Sequence, residues 1–161
     1  MIKKTLILRI TLLILTAVLL FFGFLVGVEI FTAEQQILPV MYVVAFVLWS
    51  DMILGLIIIY FLNKLLRLFE SNEILSNRTL QIMNKIKNLT LTIAIITVGL
   101  MPFFITVGHL DDAPGFVLVG AGFIFIPFAV YVFISVLIEI LSEAVAIKRE
   151  NLEYREQSMV I

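Results

Sequence analysis

Residues 64–87 read KLLRLFESNEILSNRTLQIMNKIK, followed by LTLTIAIITVGLMPFFITV at 89–107 and GHLDDAPG at 108–115. The first segment holds Lys64, Arg67, Arg78, Lys85 and Lys87, the second holds no charge, and the third holds only His109, Asp111 and Asp112. A helix needs roughly 20 apolar residues to cross a hydrocarbon core of about 30 Å, and basic side chains resist translocation. The middle segment therefore reads as a membrane span leading from a basic inner side to an acidic outer side.

The same polarity holds outward in both directions. Toward the N-terminus the other basic residues are Lys3, Lys4 and Arg9, and toward the C-terminus they are Lys148, Arg149 and Arg155. Apolar stretches separate these groups in pairs, and the gap within the first pair carries only Glu29 and Glu34. The expectation is an all-α integral membrane bundle of four transmembrane helices over 10–28, 37–62, 89–107 and 116–141. It forms a single domain over 1–161, with both termini and the central loop cytoplasmic in a bacterial cell membrane. At 62% hydrophobic, 14% charged and mean hydropathy +1.17, the chain lies far outside soluble globular composition. The net charge of -1 carries no information, because the charges are segregated.

The joints are legible too. The first apolar run is longer than the roughly 7 to 15 residues of a signal-peptide core, and no A-x-A site precedes Glu29, so it reads as a retained span. Short outer connections at Glu29–Gln36 and Gly108–Gly115 make antiparallel hairpins of helices 1 and 2 and of helices 3 and 4, and Asp112-Ala113-Pro114-Gly115 is a turn. Helix 2 continues past the membrane through Lys64, Arg67 and Glu70. Ser76 caps a new helix on which Leu80, Met83, Ile86 and Leu89 recur at helical spacing. Helices 3 and 4 extend into the cytoplasm, and the tail is expected to fray after Asn151. Pro102 and Pro127 should kink their spans, and Gly23-x-x-x-Gly27 permits close helix approach, within the monomer or between copies. The Asn77-Arg78-Thr79 and Asn88-Leu89-Thr90 sequons fall on the inner side and read as chance matches. The two hairpins show no repeat that would suggest duplicated transporter halves.

Few residues could carry chemistry. Without cysteine, thiolate catalysis, zinc ribbons and iron–sulfur ligation are excluded. No H-E-x-x-H, G-x-S-x-G or paired intramembrane aspartate occurs, so the reading is a non-enzyme without cofactor or metal. His109, Asp111 and Asp112, even with Glu29 or Glu34, read as solvated acidic turns more than as ligands. Asp51 lies mid-span in Leu48-Trp49-Ser50-Asp51-Met52, where an ionised carboxylate costs on the order of 3 kcal/mol. It defines an intramembrane polar site with Ser50, Thr97 and Ser135. It is either a proton or cation site, or an acid tying helix 2 to a hydroxyl such as Thr92, Thr97 or Ser135.

A second group forms a cytoplasmic contact surface: Glu73, Ser76, Arg78, Lys85, Lys87, Glu139, Glu143, Lys148, Glu150 and Asn151. Glu139 and Glu143, one turn apart, read as partners of Lys85, Lys87 or Arg67. Residues 64–87 have five bases and two acids, a balance of +3, whereas 139–161 have three bases and five acids, a balance of -2. These opposite signs favour docking of tail on loop.

Glu73-Ile74-Leu75-Ser76 is similar to the G-E-I-F-S-like element of a family of small bacterial membrane proteins, domain of unknown function 2975. Ala144-Val145-Ala146-Ile147-Lys148-Arg149-Glu150-Asn151 resembles that family's closing A-x-x-I/L-K-x-E-N-D-L-T-I. The resemblance implies a four-span protein, often encoded beside a helix-turn-helix regulator. The chain departs from the pattern at Phe69-Glu70-Ser71-Asn72, which lacks the glycine, and at Leu152-Glu153-Tyr154. The function expected is that of a non-enzymatic membrane partner in regulation or envelope stress response, acting with a soluble cytoplasmic regulator and without direct nucleic-acid binding. The alternatives are a bacteriocin or peptide immunity protein, and a small transporter or channel using Asp51. The charge asymmetry makes one firm prediction: reporter fusions after Glu34 and Asp112 read as external, and fusions after Asn72 and Ile161 as cytoplasmic. An external signal at Asn72 overturns the architecture.

Overall fold

The computed structural model describes residues 2–32, 39–71 and 73–159. The first outer connection with Glu34, the start of the second span at Ile37, and the fusion sites Asn72 and Ile161 lie outside the described residues. Among the described residues all regular structure is helical: α1 (Ile2–Thr32), α2 (Pro39–Glu70), α3 (Asn77–Thr97), a 3-10 turn (Val98–Leu100), α4 (Met101–Leu110) and α5 (Pro114–Met159). Four stretches among the described residues are long and apolar enough to cross a membrane, α3 and α4 forming one of them together. Large apolar side chains stand outward along the helices, for example Leu13, Phe46 and Leu118, each more than 70% exposed. Outward Leu and Phe at that density suit a hydrocarbon solvent and not water.

Local chemistry explains the ends. Ser76 is the N-cap of α3, its hydroxyl accepting from the Thr79 N–H at 3.4 Å, as expected for a serine that satisfies an orphan donor of the first turn. Thr79, almost fully buried, donates its own hydroxyl to the Glu73 carbonyl at 3.3 Å and so staples the central connection onto the helix start. At the other end, the Ala113 N–H reaches back to the Gly108 carbonyl at 2.9 Å and the Asp111 N–H to Val107 at 3.0 Å. With Asp112 at φ 47, this is a Schellman-type stop in which aspartate takes the left-handed position usually given to glycine. Pro114, lacking an N–H, then opens α5 where none is needed.

The two internal prolines behave differently. Near Pro102 the expected distortion is a 3-10 turn: Pro102 offers no N–H to the Val98 carbonyl, and that carbonyl is taken instead by the Met101 N–H. Pro127 lies inside α5, which continues unbroken through it. The helix also runs on to Met159, not fraying after Asn151. Residues 149–159 are largely good helix formers, and Arg149 donates to Glu153 one turn on at 3.3 Å.

Each helix meets its neighbour in sequence: α1 packs on α2, α2 on α3, and α3 and α4 on α5. Gly23 and Gly27 face Met52 and Trp49, so the GxxxG face is occupied within the chain by α2. Leu68, Ile82 and Ile86 form the core where α2 and α3 meet, with Phe61, Leu65 and Ile134 packed against it. A crevice of about 820 Å³ separates Leu8 and Leu12 of α1 from Leu137, Ile140 and Leu141 of α5. At the opposite end Gly120 of α5 lies against Phe104, whose ring is clustered with Phe103 and Phe116 at centroid distances of 5.5 and 5.2 Å.

A methyl group at Gly120 would stand 2.6 and 2.7 Å from Phe104 atoms at and near the root of its side chain, which cannot swing aside as a flexible tip would. Gly120→Ala is therefore expected to cost about 1–3 kcal/mol, read as a lowered thermal midpoint in detergent. Phe104→Ala should cost less in the Gly120→Ala background than in the wild type, because there it also removes the clash. An unchanged midpoint for the single variant would contradict this packing.

Candidate functional site

The helix pairings bring a few of the expected site residues into contact, at two places. The first lies in the middle of the spans. Asp51 of α2 faces the last turn of α3, where the Thr97 Oγ1 lies 2.9 Å from its Oδ2. The hydroxyl also lies 2.7 Å from the Ile93 carbonyl, the back-bond usual for threonine within a helix. One hydroxyl hydrogen cannot serve both acceptors. Either the carboxylate is ionised and accepts from Thr97, or the carboxyl carries a proton, donates it to Oγ1, and leaves the threonine to donate to Ile93. The pair can thus hold a proton between two oxygens. The other oxygen, Asp51 Oδ1, is buried and has no hydrogen-bond partner among the described residues.

Thr97 is the last residue of α3, next to the 3-10 turn, and Val47 packs on Gly99 just beyond it. The remaining hydroxyls expected at this site do not join it. Ser50 donates to Phe46 at 2.7 Å, Ser135 to Tyr131 at 2.9 Å and Thr92 to Asn88 at 3.0 Å, all within their own helices. Each hydroxyl has a carbonyl one turn back in its own helix, and only Thr97 also meets the carboxylate.

The second group lies at the end of the bundle that carries the Lys and Arg residues. Ser76 is engaged as the cap, and the Glu73 N–H donates to the Leu68 carbonyl at 3.0 Å, folding the connection over the end of α2. Lys148 of α5 donates through Nζ to the Leu75 carbonyl at 3.4 Å. Leu75, Ile147, Asn151, Leu152 and Arg155 line a cleft of about 530 Å³ around that contact. Tail and central connection do meet, but through a lysine on a backbone carbonyl, and not through tail acids on loop bases. Arg78, Lys85, Glu139, Glu143, Glu150 and Asn151 are exposed and Lys87 is half-buried. Glu139 and Glu143 make no ion pair with Lys85, Lys87 or Arg67: the helix turns them outward, and Lys85 lies over the Phe61 ring at 5.6 Å.

Sequence reasoning missed the ion pair from Arg9 Nη2 to Glu70 Oε2 at 2.7 Å, which joins the two ends of the first hairpin. Antiparallel pairing of helices 1 and 2 over their full lengths would have suggested it. His109, Asp111 and Asp112 occupy the exposed turn between α4 and α5, and among the described residues no three His, Asp or Glu side chains converge on a metal position.

The comparisons with known proteins agree with this architecture. The model of a family described as Protein of unknown function (DUF2975) matches residues 31–153, well over half of the 161 residues. Over 88 residues the chain is 36% identical to the Uncharacterized membrane protein YoaS of Bacillus subtilis (strain 168). That stretch is 55% of each protein, so the match spans about half the length of this curated relative. No solved structure matches.

The carboxyl–hydroxyl pair gives a stability prediction. Thr97→Val keeps the shape but leaves Asp51 with neither oxygen partnered, and should lower stability by about 1–2 kcal/mol in a detergent melt. Asp51→Asn keeps a hydrogen-bonding group and should accumulate as the wild type does. Failure of Asp51→Asn to accumulate would point to a buried ion pair in place of the hydrogen bond.

Proposed function

The chain belongs to the DUF2975 family, and on that premise we propose that it is a non-enzymatic membrane partner in regulation, presenting a helix at its basic end to a soluble cytoplasmic protein. One observation carries the reading. At 46 residues α5 is about 69 Å long, more than twice the roughly 30 Å of a hydrocarbon core, and from Ala146 to Met159 every residue is exposed. Spanning needs none of that length.

The exposed part is not uniformly polar. Ile147 and Tyr154 lie two turns apart on one stripe, Leu152 and Met159 on a second, and the acids Glu150, Glu153 and Glu156 lie among them. Apolar anchors at i and i+7 on an otherwise charged helix suit docking into the apolar groove of a partner, with basic residues on the groove's rim. A helix-turn-helix regulator is the partner class that the family resemblance implies. The bundle would set the position of this helix through the Lys148 to Leu75 contact, so a change within the membrane alters what is presented outside it.

A second reading is favoured by the unpartnered oxygen of Asp51. A proton or cation site inside the bundle would use that oxygen, and then Asp51→Asn should abolish activity in a protein that still inserts. For the regulatory reading the informative variants lie far from Asp51. Truncation after Ile147 should leave an inserted, stable four-span protein that no longer retains a purified helix-turn-helix protein encoded beside it. Ile147→Glu with Tyr154→Glu should weaken that retention roughly tenfold or more, the loss usual for two anchor side chains. Full retention by the truncated protein would remove the tail from the mechanism.

A further inference from the structure

The seam between α1 and α2 opens at the basic end into a cleft of about 500 Å³. Arg9 and Arg67 stand at its mouth, Asn63 lies on one wall, and Leu13, Ala17 and Leu20 continue it away from the charges along α1. From Arg9 to Leu20 the helix rises about 16 Å, which is about half of a hydrocarbon core of roughly 30 Å. Measured from the guanidinium groups, the apolar track is thus about as long as one leaflet is thick.

Its charge is not cancelled. Arg9 donates one hydrogen bond to Glu70 at 2.7 Å, using one of five N–H donors and holding the guanidinium in place. Arg67 makes no ion pair with any described carboxylate. Two guanidinium groups against one carboxylate leave a net positive mouth. The Asn63 amide spends one of its two N–H donors on the Ile59 carbonyl at 3.2 Å, so most of the free donors belong to the planar N–H forks of the two arginines, a geometry matched to phosphate oxygens.

We propose that this cleft is a binding site for one anionic phospholipid of the leaflet at the basic end, its phosphate on Arg9 and Arg67 and one acyl chain along Leu13, Ala17 and Leu20. The continuous apolar track selects a lipid over a free phosphate, and the surplus positive charge selects an anionic headgroup over a zwitterionic one. Glu70 limits the affinity by occupying part of Arg9. The site is independent of what the C-terminal helix contacts, so neither idea stands or falls with the other.

The test is native mass spectrometry of the full-length protein, purified in detergent and supplied with phosphatidylglycerol or phosphatidylcholine of identical chains. One phosphatidylglycerol per protein should be retained in preference to phosphatidylcholine. Arg67→Gln should lower that retention about fivefold, the weight of one basic side chain at an anionic surface. Glu70→Gln should raise it by releasing Arg9, and Ala17→Phe should abolish it by filling the track without changing charge. Excess glycerol phosphate should displace nothing. Equal retention of the two lipids, or unchanged retention in both Arg67→Gln and Ala17→Phe, would overturn the site. Displacement by glycerol phosphate would overturn the lipid assignment. If Arg67→Gln does not accumulate, the opposite responses of Glu70→Gln and Ala17→Phe decide the matter.

Discussion

A hydrocarbon core offers the backbone no hydrogen-bonding partner, and every other property of this chain is arranged under that constraint. Each span has to be helical to satisfy its own N–H and C=O groups. Lipid is as apolar as leucine, so burial from water cannot hold the helices together, and association falls to close packing and to the few polar side chains. The contacts observed are of those kinds: Gly23 under Met52, Gly99 against Val47, Gly120 under Phe104, and Thr97 on Asp51. Most hydroxyls within the spans turn back to their own helix, which satisfies them without committing the chain to a particular neighbour.

The same constraint explains the asymmetry between the two ends. At the basic end the helices leave the hydrocarbon, and there the structure spends its polar groups on tying elements together. Arg9 meets Glu70, the Ser76 cap meets Thr79, and Lys148 meets the Leu75 carbonyl. The α4–α5 end, by comparison, is closed by a tight turn and an aromatic cluster, with its acids left in solvent. An assembly that is stapled at one end and has a crevice between its first and last helices can change the relation of α1 to α5 without breaking the hairpins.

Much of this was legible in the residues. Span lengths and the position of Lys and Arg follow from solvation energy alone, and the Ser76 cap and the Asp112-Ala113-Pro114-Gly115 turn follow from local backbone chemistry. What could not be read depended on rotation of one helix about its axis relative to another. Thr92, Thr97 and Ser135 are equivalent acceptable partners for Asp51 until α2 and α3 are paired, and the GxxxG face has no assigned neighbour until α1 lies on α2. Opposite net charges on loop and tail suggested acid–base docking, yet the observed contact is made by a lysine on a carbonyl. Net charge describes a segment, whereas contact is decided by which side chains share a face. Solvent exposure of a charged segment argues for fraying after Asn151, whereas intrinsic helix propensity and the Arg149–Glu153 pair carry the helix on to Met159.

Asp51 and the basic end pose one physical problem at two depths. A charge near water is cheap to keep and is easily exchanged among partners, so Arg9, Arg67 and Lys148 can be shared between protein and lipid headgroups. A carboxyl in mid-span has no such freedom, and it persists only where a neighbour takes part of its hydrogen-bonding capacity. Here one oxygen has Thr97, and the other has no partner among the described residues. Thr97 also ends α3 at the turn that Pro102 imposes, so the hydroxyl that holds Asp51 sits where the helix is least regular. A shift in that turn would move Thr97 relative to α2 and change the partnering of the carboxyl. Through the α3–α5 packing it would also reach the helix that leaves the membrane. The 3-10 turn stands between the buried polar pair and the exposed helix, packed on both α2 and α5.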